Sequence, residues 1–111
     1  MRIYIAGRVT GIEEEAEVRF AAAEQMLSEH HEVVNPMKLP HDHGKTWKEY
    51  LSECIKHLLD CDAVFLLNNW YQSKGARLEY MIASRLDMPF YYESNYQQIK
   101  PEGVRNVESN G

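Results

Sequence analysis

The sequence predicts a single α/β domain built around a parallel sheet of four to five strands. Three observations carry that expectation. Short, almost wholly apolar runs alternate with longer stretches patterned at the helical period. The first two runs stop at Gly7 and Pro36, as buried strands do. The chain has 111 residues, 44% of them hydrophobic, which is the size of one ordinary domain with one core. An alternation of strand and helix implies parallel strands joined by right-handed crossovers.

The elements follow in order. Residues 2 to 6, RIYIA, read as the first strand. Thr10 to Glu15 supply turn residues and acids suited to a helix start. From there to Glu29, Ala16, Phe20, Ala23 and Leu27 recur at helical spacing. EVVNP at 32 to 36 is a second strand, and MKLPHDHGK is a loop. Thr46 and Glu49 have the spacing of a capping box, and Trp47, Leu51, Cys54, Ile55 and Leu58 form the stripe of the helix they open. DAVFLL at 62 to 67 suits a central strand covered on both faces. A third helix starts at Lys74, and PFYY opens a fourth strand at Pro89. Residues 93 to 111 turn polar and read as a tail outside the domain of residues 1 to 92.

Composition excludes several classes. The formal net charge is -5 and the basic residues are dispersed, so neither a nucleic-acid polymer nor an anionic membrane finds the basic surface it needs. No apolar run has the length of a membrane span, and the start carries no secretion signal. Two cysteines without such a signal imply reduced thiols and a cytoplasmic location. Cys54 and Cys61 on one helix are about 10 Å apart in rise, too far for a bridge.

In open sheets of this kind ligands sit beyond the carboxyl ends of the strands. Three loops therefore frame the expected site: Gly7 to Gly11, Asn35 to Lys45 and Asn68 to Gly75. SKGA at 73 to 76 has the character of an anion-binding helix start, with Ser73 as cap and Gly75 leaving the backbone open to a ligand. A cap alone is the competing reading. GRVTG fits no dinucleotide fingerprint, and the chain holds no Walker-type loop.

One residue is out of place. On the third helix Gly75, Ala76, Ile82, Ala83 and Leu86 fall within an arc of about 120°, and Glu79 falls inside it. A carboxylate on an inward face costs several kcal/mol unless it is paired or used. A buried pair with arginine, bonds to backbone N–H groups and a wet edge are the structural alternatives to a functional role. HDH at 41 to 43 is weak evidence for a metal, and neither a metal nor a cofactor is expected. His30 and His31 read as the end of the first helix, and Asp62 as a cap or a bond to a neighbouring loop.

IYIAGRVTG, VVNP, CDAVFLL and W-x-x-S-x-G-A-x-x-E together resemble the nucleoside 2-deoxyribosyltransferase superfamily, and within it the bacterial and phage group called DUF4406. The resemblance covers residues 2 to about 92. It implies a Rossmann- or flavodoxin-like three-layer sandwich, a homodimer or larger assembly, and cleavage of the N-glycosidic bond of a nucleoside or nucleoside 5'-monophosphate. Glu79 matches the nucleophile, and Tyr4 a tyrosine beside the sugar. Gly7, Arg8, Thr10, Ser73 and Gly75 match the phosphate-holding segments, Ser73 standing where transferases acting on free nucleosides carry aspartate. Trp70 or Tyr71 is placed to stack on a base or to join a dimer contact. One departure stands out: many members carry an aspartate where this chain has Cys54. Two further readings follow, a nucleotide-binding or sensing module that has lost the chemistry, and an interaction domain using Trp47, Tyr50, Trp70 and Tyr71.

Overall fold

The computed structural model describes residues 1–39 and 44–95. The strands are β1 (Arg2–Ala6), β2 (Glu32–Val34), β3 (Ala63–Leu66) and β4 (Phe90–Tyr92), and the helices are α1 (Glu13–Leu27), α2 (Trp47–Leu59) and α3 (Lys74–Arg85). The order across the sheet is β2-β1-β3-β4, with every neighbouring pair parallel. This is a Rossmann- or flavodoxin-like α/β fold, with four strands among the described residues at the lower end of the expected range. No helix among them is long and apolar enough to cross a membrane.

Strand periodicity sorts the core into two faces. Ile3 and Ile5 of β1, with Ala63 and Phe65 of β3, pack against Ala16, Phe20, Ala23 and Leu27 of α1. Tyr4 and Ala6, with Val64 and Leu66, point the other way onto Cys54 and Leu58 of α2 and Ala76 and Ala83 of α3. Successive strand side chains alternate faces, so one continuous apolar run serves both layers. All four residues of β3 are buried.

The capping box at α2 forms in full, with Thr46 Oγ1 accepting from the amide of Glu49 and the Glu49 carboxylate accepting from the amide of Thr46. Asp62 ties β3 to β1, its Oδ2 accepting from the amide of Arg2 at 2.8 Å. Cys54 and Cys61 are buried free thiols.

Three expectations are corrected. Leu86 does not face inward: α3 ends at Arg85, Leu86 is its exposed C-cap, and Asp87 turns the chain away with φ 58°. Trp47 lies on the apolar stripe of α2 but is 57% exposed, because as the first residue of the helix it borders a cavity rather than the core. α1 ends at Leu27, so His30 and His31 occupy the turn that follows, their amides donating to the Leu27 carbonyl. The 41 to 43 histidine pair and residues 96 to 111 of the tail lie outside the described residues.

Candidate functional site

β1 connects outward to β2 through α1 and β3 lies on its other side, so strand order reverses between β1 and β3. A crevice opens at such a point because the two loops leave in opposite directions. Here it is a cavity of about 770 Å³, within the range of small-molecule sites. A more open hollow of about 540 Å³ lies at the opposite, amino-terminal edge of the sheet, around Arg2, His30, Glu32 and Asp62. The strand-end rule favours the first.

Two glycines shape the β1 loop. A Cβ on Gly7 would stand 2.6 Å from Cδ1 and 3.0 Å from Cβ of Leu67, a fully buried side chain, so the loop can approach β3 only without one. Gly11 has φ +89°, a conformation that L side chains rarely adopt, and it turns the chain into α1. Gly75 differs: a Cβ there would make only ordinary contact with Leu51 and Ser73, so packing does not demand glycine. What its absence of a side chain leaves open is the cavity itself.

At the back of the cavity sits Glu79, 6% exposed. It rises from the second turn of α3, and helical side chains lean toward the N-terminus, which brings the carboxylate over Gly75. Among the described residues none of the three structural alternatives applies. Its partner is Tyr4, fully buried on β1, whose hydroxyl donates to Oε2 at 2.7 Å. Burial pushes the Glu79 carboxyl up to about 7, with the Tyr4 bond pulling the other way. Burial and the Glu79 charge hold the Tyr4 hydroxyl well above its ordinary range, so it remains a donor. Cys54 shares this wall. Burial, then the charge of Glu79, push its thiol up, while hydrogen bonds with the Tyr4 and Tyr50 hydroxyls act against them. The thiol therefore keeps its proton at neutral pH.

The rim is polar. Ser73 Oγ caps α3 by accepting from the amide of Ala76 at 3.0 Å. The amides of Lys74 and Gly75 are among those a helix start leaves without an intrahelical acceptor, and the dipole adds partial positive charge there. Arg8 and Lys74 bring full charges, and Thr10 lies beside them. Met37 and the exposed Trp47 add apolar surface to the lining.

The cavity thus gathers Tyr4, Gly7, Arg8, Thr10, Ser73, Gly75 and Glu79 from two segments of the chain, residues 4–10 and 73–79. Trp70 is not among its lining residues. Its ring stacks on Tyr80 at 4.7 Å, and Tyr80 continues onto Phe90 at 4.6 Å, so Trp70 braces the short helical turn before α3. Trp47 is the tryptophan that faces the cavity, and its cue in the sequence was the stripe of α2, which read as core. Gln72, also on the rim, had no cue. Among the described residues no group of three His, Cys, Asp or Glu side chains could hold a metal.

A parallel α/β domain with a buried carboxylate under a cationic rim, at the point of strand reversal, is the framework of a small-molecule site. The chain belongs to the DUF4406 family, a domain of unknown function whose family model matches residues 1–92. No curated protein matches it in sequence. Among solved structures it is similar to a 2-deoxyribosyltransferase from Bacillus psychrosaccharolyticus, with 23% identity, a TM-score of 0.66, and coverage of 83% of this chain and 71% of that one. At that identity the likeness establishes the fold.

Proposed function

We propose that the protein cleaves the N-glycosidic bond of a nucleoside 5'-monophosphate or nucleoside, with Glu79 as nucleophile. The observation that carries this reading is the buried carboxylate of Glu79 at the back of the cavity, held by the Tyr4 hydroxyl. The Tyr4 bond engages Oε2, so Oε1 is the oxygen that attacks. The bond from Oε1 to the anomeric carbon forms as the bond from that carbon to the base nitrogen breaks, and the departing base takes its proton from water. The resulting ester is resolved by water, which returns the carboxylate and releases the sugar, or by the nitrogen of a second base.

Tyr4 fixes the carboxylate rotamer and moderates its basicity without surrendering its own proton. The rim of Arg8, Thr10, Ser73, Gly75 and the α3 terminus suits a 5'-phosphate. The apolar surface of Met37 and Trp47 on the lining suits the base. A homodimer is part of the proposal through the family resemblance, and the exposed Leu59 and Met81 are available to a second copy.

A second reading is favoured by Cys54. A protonated thiol stands where the resemblance implies a carboxylate, so the site has one acid beside the reacting carbon rather than two, as expected of a module that binds a nucleotide without cleaving it. Incubation with a panel of nucleoside and deoxynucleoside 5'-monophosphates, following free base by chromatography, separates the two. Base release by the parent and not by Glu79→Gln supports the glycosidase. Thermal stabilisation by a nucleotide without base release supports the binding module.

A further inference from the structure

The guanidinium of Arg8 is held from two sides. Its Nε donates to the Thr10 carbonyl and its Nη1 to Oε1 of Gln72, both at 3.1 Å. The backbone amide of Arg8 also donates to Oδ1 of Asn69 at 3.1 Å. Arg8 is therefore clamped, by main chain and side chain, to the segment before α3, sixty-odd positions further along the chain.

All three acceptors are neutral. A carboxylate at position 72 would make a shorter and stronger bond to the guanidinium, and in doing so would cancel the charge it holds in place. A glutamine orients the same fork and leaves its charge for something else. Glu13, the acid on this rim among the described residues, already accepts from the Gly11 amide at 3.1 Å; that bond, then one with its own amide, and in smaller part the charge of Arg8, hold its carboxyl below the usual range. Lys74 and the α3 terminus lie on the same rim.

We propose that Gln72 is a positioning residue that makes the site selective for a phosphorylated over a neutral nucleoside, by fixing Arg8 without neutralising it. The identity of the ligand rests on the glycosidase reading above; the preference for an anion rests on the rim alone.

The test compares the parent, Gln72→Glu and Gln72→Ala in the full chain. Gln72 is exposed, so both variants are expected to fold. The readout is the ratio of KM, or of Kd by calorimetry, for a deoxynucleoside 5'-monophosphate to that for the matching nucleoside, with inorganic phosphate as a separate probe. Gln72→Glu raises the ratio by about tenfold or more and weakens phosphate in step, while Gln72→Ala, which frees the guanidinium but leaves its charge, gives a smaller rise. A ratio unchanged in Gln72→Glu overturns the proposal even if base is released. A parent that releases no base yet binds phosphate with this dependence on Gln72 sustains it and removes the glycosidase reading. A parent that binds neither phosphate nor nucleotide overturns it.

Discussion

The Tyr4 hydroxyl and Oε2 of Glu79 lie 2.7 Å apart, joined by a buried hydrogen bond that spans 75 positions of sequence. That bond links the central strand to the first turns of α3 and explains how an ionisable group survives in the core. A buried carboxylate with one donor is stabilised enough to persist but not enough to titrate normally.

The stability of the fold should record this. Burial raises the Glu79 carboxyl from 4.5 to about 7, so the folded chain holds a proton that the unfolded chain releases. Relative stability is therefore greatest below about pH 4.5 and is lost as pH rises through about 7, a difference of about 3 kcal/mol. Glu79→Gln keeps an acceptor for Tyr4 and never ionises. Its Tm should match the parent near pH 4 and exceed it by roughly ten degrees at pH 8.5. Parallel melting curves across that range check this, and equal Tm values at pH 8.5 would argue against a buried ionised carboxylate.

Tyr4→Phe should act on the chemistry through the acidity of Glu79. Losing a hydrogen bond to a charged acceptor costs about 1.5–3 kcal/mol. The carboxyl should titrate about one to two units higher. The acid limb of the pH profile for base release moves up accordingly, with activity at pH 7 falling more than activity at pH 9. A profile lowered equally at every pH would show that Tyr4 contributes only shape.

Cys54→Asp should move the same limb by a different cause. A second carboxylate within electrostatic reach of Glu79, with the Tyr4 and Tyr50 hydroxyls to share, cannot ionise together with it at neutral pH. The pair then titrates in two steps, the upper one above 7. If base release by this variant shows the parent's midpoint, the two positions are not coupled.

Gly7→Ala tests the close approach of the β1 loop to β3. The added Cβ meets the buried Leu67 at 2.6 Å, and overpacking of this kind costs about 1–3 kcal/mol. Chemical denaturation should give a lower midpoint, together with weaker binding of any anion that depends on Arg8, the next residue. Gly75→Ala meets only ordinary contacts and should leave the midpoint near that of the parent while reducing ligand affinity.

Much of this was legible in the sequence because it is set by local patterns. Ala16, Phe20, Ala23 and Leu27 repeat at the helical period, and all four are buried. Thr46 with Glu49, and Ser73 with the helix it opens, announce their caps by residue type and spacing. Glu79 announced itself as a charge on an apolar arc. Its partner could not be read from the residues alone, since strand side chains at Tyr4 and Ile5 look alike until the register decides which faces α3. Direction also decided the tryptophans. Trp70 and Trp47 both sit at the start of helical segments, yet one turns onto Tyr80 and the other onto the cavity. Gln72 carries no pattern at all, because its role depends on a loop sixty-odd residues away.

Glu79 is a buried acid poised near neutrality, and its carboxyl can be followed directly. Carbon-13 NMR of the side-chain carboxyls across pH 3 to 10, with Glu79→Gln to assign the resonance, gives its midpoint. A midpoint close to 7 is what burial against Tyr4 predicts. A midpoint near 4.5 would mean a solvated carboxylate of ordinary strength, and would contradict the buried, Tyr4-held acid on which the proposed nucleophile rests.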